Sequence, residues 1–142
     1  FVYHGKAMAC GKVKGETGGE CMLNFNHKKL DVWKMSVSFV TMIYELTRDF
    51  PKSEVYGITN QLRRAAVSIP SNIAEGAYRD SAKDRKRFYE IAWSPLVEID
   101  TQLEISKRLN YVNTQTNSEY LHVEEMMNSL FAMLTKLKER TN

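Results

Sequence analysis

From Leu30 onward the apolar residues recur at intervals of three and four, the spacing that places them on one side of an α-helix. Leu30, Trp33, Val37, Val40 and Tyr44 share one stripe, and Val32, Phe39, Ile43 and Phe50 lie beside it. This pattern predicts a first helix over about Lys29 to Asp49. Pro51 forbids its regular continuation, and Ser53 followed by Glu54 offers a cap and a negative charge to the next helix. Val55, Ile58, Leu62, Ala65, Ile69 and Ile73 form a second stripe. Within it Pro70 predicts a kink near Val67, and Gly76 is a natural terminator.

Ser81 and Asp84 have the spacing of a capping box. They introduce a third stripe of Phe88, Ile91, Ala92, Leu96, Ile99, Leu103 and Leu109, with Pro95 as a second expected kink. The pattern fades at Asn110-Tyr111, and a polar loop runs through Thr116. Thr116 and Glu119 repeat the capping-box spacing. Leu121, Val123, Met127, Leu130, Leu134 and Leu137 follow, ending where Lys136, Lys138 and Arg140 complement a helix C-terminus. Four long amphipathic segments joined by short loops, with no strand pattern, predict an all-α, antiparallel up-and-down four-helix bundle over residues 25–142.

Residues 1–24 read differently. Most of the chain's glycines fall there without helical periodicity, so an irregular or disordered tail is expected. Purine-rich codons for Gly18-Gly19-Glu20 just before Met22 would resemble a bacterial ribosome-binding site, which makes Met22 the expected native start; a genuine flexible leader is the competing reading. Cys10 and Cys21 both lie in this stretch, and the helical body has neither a disulfide framework nor a CxxC pair. With no apolar run long enough to span a membrane, a cytoplasmic protein is expected.

Catalytic patterns are missing where a bundle would carry them. Paired Glu-x-x-His motifs for a di-iron site do not occur, and His4, His27 and His122 lack ligand spacing, so no metal or cofactor is expected. There is no arginine followed four to six residues later by histidine, the pairing that helical ribonucleases of the HEPN type require. Ser68 and Ser71 lack a nucleophile elbow and are expected to bond backbone near Pro70. Glu98, Asp100 and Glu104 are better read as a solvated face than as an acid–base pair. The chain is expected not to be an enzyme.

The charge distribution carries more than the net charge of +3. Arg79, Lys83, Arg85, Lys86 and Arg87 crowd the start of the third helix against only Asp80 and Asp84. Cations there oppose the helix macrodipole, and such a cluster suits phosphates, so nucleic acid is the first partner to consider. A plain solvated face is the competing reading. Arg63 and Arg64 are secondary candidates, with guanidinium–carboxylate pairing, for example to Glu75, as the structural alternative. Lys28 and Lys29 add charge at the start of the first helix. Trp33, Tyr44, Phe88 and Tyr89 are expected in the core or a subunit contact, and Trp93 is expected to face outward, suiting an oligomer interface.

These residues contain a recognisable pattern: Leu30-Asp31-Val32-Trp33, Ile43-Tyr44, Phe50-Pro51, Glu54-x-Tyr56-Gly57, Gln61-Leu62-Arg63-Arg64-Ala65-Ala66, Ser68-Ile69-Pro70-Ser71-Asn72-Ile73-Ala74-Glu75-Gly76 and Arg87-Phe88. Over about Leu30 to Leu137 the chain resembles the 23S rRNA-intervening-sequence proteins, also called the S23 ribosomal protein family. The resemblance implies a bacterial four-helix bundle that forms homopentameric rings. Similar bundles act as accessory proteins of diversity-generating retroelements, so it also implies RNA and a protein such as a reverse transcriptase as partners. At Trp93-Ser94-Pro95 the chain departs from the family, which usually has a small pair such as Gly-Ser. The expected function is thus a non-enzymatic, self-associating bundle that binds RNA through its basic surface, with a protein-interaction scaffold as the alternative.

Overall fold

The computed structural model describes residues 26–112 and 118–141. A single 3-10 turn, Asn26–Lys29, precedes α1 (Asp31–Leu46). Two further short turns, Thr47–Asp49 and Lys52–Glu54, lead into α2 (Ile58–Ala77); α3 (Ala82–Arg108) and α4 (Ser118–Arg140) complete the fold. Each helix packs against the next and α4 returns to α1, giving the antiparallel up-and-down bundle that the periodicity predicts. No strand occurs among the described residues. The expected tail, its Met22 start and the Thr116 cap lie outside the described residues, apart from the tail's neighbour Asn26.

The helix ends follow local chemistry. Glu54 Oε2 accepts from the Ile58 amide at 3.1 Å, so the carboxylate rather than Ser53 serves the N-terminus of α2. The α3 cap forms as expected: Ser81 Oγ accepts from the Asp84 amide at 3.0 Å and donates to its carboxylate at 2.7 Å. At the other end of α3, Asn110 adopts φ 57°. Its amide bonds the Lys107 carbonyl at 3.0 Å and the Tyr111 amide bonds that of Ser106 at 2.9 Å, a Schellman ending.

The core is built from Phe39, Ile43, Leu62, Ile69, Ile73, Leu96, Ile99, Leu103, Val123, Leu130 and Leu134. In α1 the stripe headed by Val32, Phe39 and Ile43 faces inward, whereas Val37 and Tyr44 from the other stripe are exposed. Ile91, Leu109 and Leu121 also fall outside the core they were expected to join, and Tyr89 is buried in place of half-buried Phe88. Gly76 does not end α2, which continues through Ala77. It lets α3 approach, since a Cβ there would lie 2.7 Å from Tyr89 Cε1. Pro70 and Pro95 lie inside continuous helices.

Candidate nucleic-acid interface

The basic cluster begins at the corner between α2 and α3, where backbone carbonyls left over from a helix end require donors. Arg85 supplies them: its Nη1 donates to the carbonyls of Arg79 at 3.0 Å and Asp80 at 2.9 Å. Arg79 pairs with Glu75 through Nη2 and lays its guanidinium 4.7 Å over the Phe88 ring. Two of the five expected phosphate contacts are therefore engaged in shaping the corner. Lys83, Lys86 and Arg87 are exposed and form no ion pair among the described residues.

Arg63 and Arg64 stand apart from this cluster. Tyr78, just past the end of α2, lies fifteen positions after Arg63, so the two groups are roughly 20 Å apart along the helix. Arg63 is half-buried, donates from Nε to Thr47 Oγ1 at 2.9 Å and stacks 4.7 Å over Tyr44. Its pairing is with a threonine and a ring instead of the expected carboxylate, and it ties the end of α1 to α2. Arg64 is exposed with no such partner.

Antiparallel packing brings other cations to the corner. The His27 ring sits 4.9 Å from Trp33 and 5.8 Å from Tyr78, which sets Lys28 and Lys29 beside the end of α2. Burial and the neighbouring Lys28 charge hold the His27 imidazole below its usual pKa of 6.5. Trp93 and Phe131 meet at 4.9 Å, and α4 then descends so that Lys136, Lys138 and Arg140 end at the same pole. Trp93 is consequently half-buried in an α3–α4 contact and not fully outward.

The bundle is polarised as a result. Its half containing this corner (residues 26–38, 70–93 and 128–141) carries eleven Lys and Arg against six Asp and Glu. The other described half carries six against nine. Two helix N-termini and two C-termini meet at each pole, so their macrodipoles largely cancel and side chains set the potential. Sequence reasoning identified most of these cations singly, but their convergence depends on which helix ends share a pole. It did not identify the groove lined by Tyr44, Val55, Tyr56, Thr59, Arg64 and Val67, whose members are scattered through unremarkable positions.

No described helix is long and apolar enough to cross a membrane. Among the described residues no three His, Cys, Asp or Glu side chains group in a way that could hold a metal ion.

Comparison with curated proteins finds no match. Among solved structures, the chain resembles a protein of unknown function from the S23 ribosomal protein family of Bacteroides thetaiotaomicron VPI-5482, with a TM-score of 0.65. The two are 21% identical, and the match covers 75% of this chain and 97% of that one. At that identity the likeness speaks for the fold. Residues 28–136 match the profile of the 23S rRNA-intervening sequence proteins, from the 3-10 turn before α1 to the last turns of α4. A match of that extent makes this chain a member of the 23S rRNA-intervening sequence protein family.

Proposed function

We propose that this protein is a non-enzymatic, self-associating bundle, with a homopentamer as the expected assembly, that binds RNA through its basic pole. The observation that supports this most directly is that Lys83, Lys86 and Arg87 project from the first turns of α3 without ion pairs among the described residues. Ordinary surface lysines and arginines on helices find carboxylates three or four residues away, as Lys34, Arg48 and Arg108 do here. Cations left without such partners are available to displace counterions from phosphates. Lys29, Lys136, Lys138 and Arg140 extend the same field, whereas Arg79 and Arg85 act by holding the corner that presents it. Contacts of this kind read backbone and shape more than base identity. A cytoplasmic setting, in which RNA and a protein such as a reverse transcriptase are accessible partners, fits this reading.

Fluorescence anisotropy with a structured 23S rRNA fragment across a salt series tests it. The wild type is expected to bind at low salt and weaken steeply as salt rises. Charge reversal at Lys83, Lys86 and Arg87 together should reduce the log–log salt slope by about 2 to 3 and remove most binding. No low-salt binding by the wild type would overturn the RNA reading. A polypeptide partner captured with little salt dependence would instead favour the scaffold alternative, to which the 93% exposed Tyr56 lends support.

A further inference from the structure

From the middle of the bundle toward the end away from the basic pole, the molecule has two apolar surfaces of opposite charge. One is the groove on the outer side of α2, where Tyr44, Val55 and Val67 are 43%, 50% and 42% exposed and Tyr56 projects almost wholly into solvent. Arg64 lines it without a hydrogen bond or ion pair among the described residues, and no carboxylate lines it. Thr59 also lines it, only 5% exposed, with an Oγ1 that has no hydrogen-bond partner among the described residues.

The other surface lies along the α3–α4 seam. Trp93 and Phe131 pack together there, with Phe131 43% and Val97 48% exposed. Above them Asp100, Glu104 and Glu124 lie near Tyr120, whose hydroxyl pKa is raised by burial first, then by its hydrogen bond to Glu124 and by the three carboxylate charges. Glu104 is engaged by Arg108 at 2.8 Å, but Asp100 and Glu124 form no ion pair among the described residues. Because α1 and α2 form one side of the cyclic bundle and α3 and α4 the other, the two surfaces face away from each other.

Their heights also correspond. The Gln61–Gln102 hydrogen bond at 3.2 Å fixes the register of α2 against α3, and the Trp93–Phe131 contact fixes α3 against α4. In antiparallel helices of equal rise, these registers put Arg64 level with Asp100 and Glu124, and Val67 level with Val97. Two bundles standing side by side with the same polarity would thus match cation to carboxylate and apolar to apolar without an axial shift.

We propose that a second copy of this chain seats its α3–α4 face, through Val97, Phe131, Asp100 and Glu124, in the α2 groove around Tyr56 and Arg64. This rests on the self-association proposed above and assigns its surfaces. The contact is heterologous, so each subunit offers a groove to one neighbour and a face to the other. The groove is centred on α2 and not on the α1–α2 seam, so the surfaces are not diametrically opposed; successive contacts curve and can close into a ring. Every subunit then points its basic pole to the same side, which turns one modest patch into a multivalent RNA surface.

Sedimentation velocity over a protein concentration series tests the assignment, with circular dichroism to check that each variant remains folded. Arg64→Glu and Asp100→Arg change exposed side chains, and each is expected to weaken assembly at least tenfold. The double variant R64E/D100R, which exchanges the charges across every interface, should regain it. Val97→Asp, which places a charge in the apolar part, should also dissociate the assembly. A monomeric wild type would overturn both this inference and the self-association it rests on. An oligomeric wild type indifferent to either single charge reversal would overturn the interface alone, as would failure of the double variant to recover.

Discussion

Three residues show how single positions set the geometry. Gly76 has the helix-interior weakness of any glycine, yet the Tyr89 ring occupies the space a methyl group would need. Gly76→Ala is expected to lower stability by about 1–2 kcal/mol, overpacking outweighing the propensity gained, as read from the urea midpoint. Its role was not legible as such: a glycine near a helix end reads as a terminator, and only the approach of α3 reveals it as a spacer. A structural role for Arg63 was legible as an alternative, but its partners were not, since Thr47 and Tyr44 belong to another helix end. His27 binds fewer protons in the folded chain than in the unfolded one, because its folded pKa is depressed. Its contribution to stability is therefore complete above pH 6.5 and is lost as pH falls from there through the folded value. Melting temperature measured from pH 8 to about pH 5 should fall in that window, and His27→Phe should flatten the slope.

At the scale of elements, the helices were readable because their apolar periods are long and their punctuation is local. Ser81 and Asp84 form the cap their spacing implied. Ser81→Ala should cost about 1 kcal/mol by thermal denaturation, with Ser81→Gly milder. Asn110 ends α3 in the left-handed region, where asparagine is tolerated better than most residues. The first helix is shorter than its pattern because Leu30 and Thr47 flank it with non-helical or 3-10 geometry. Its two apolar stripes were equally plausible inward faces. Choosing between them required knowing that α2 and α4 flank α1 from the Phe39–Ile43 side, leaving Tyr44 to support Arg63.

At the scale of the whole molecule, the organising feature is the separation of charge between the poles. It gives the RNA proposal a positional test that net charge does not. Neutralising Lys136, Lys138 and Arg140 to glutamine should weaken RNA binding, although these residues lie far in sequence from the α3 cluster. Neutralising Arg48, Lys52 and Arg108 at the opposite pole removes the same charge and should leave the affinity within about twofold in the same anisotropy titration. Equal losses from both sets would show that only the overall charge matters.

The sequence by itself determined the helices, their order, the Ser81 cap of α3 and the all-α class, because those depend on residue spacing and on interactions within a turn or two. It also carried the motif from Arg63 to Gly76 by which the family is legible. Which apolar stripe is core, which cations meet at one pole and which are consumed by a helix corner were decided only by tertiary packing. Residues tens of positions apart acquire a common electrostatic role when antiparallel helices bring their ends together, and no pattern along the chain records which ends those are.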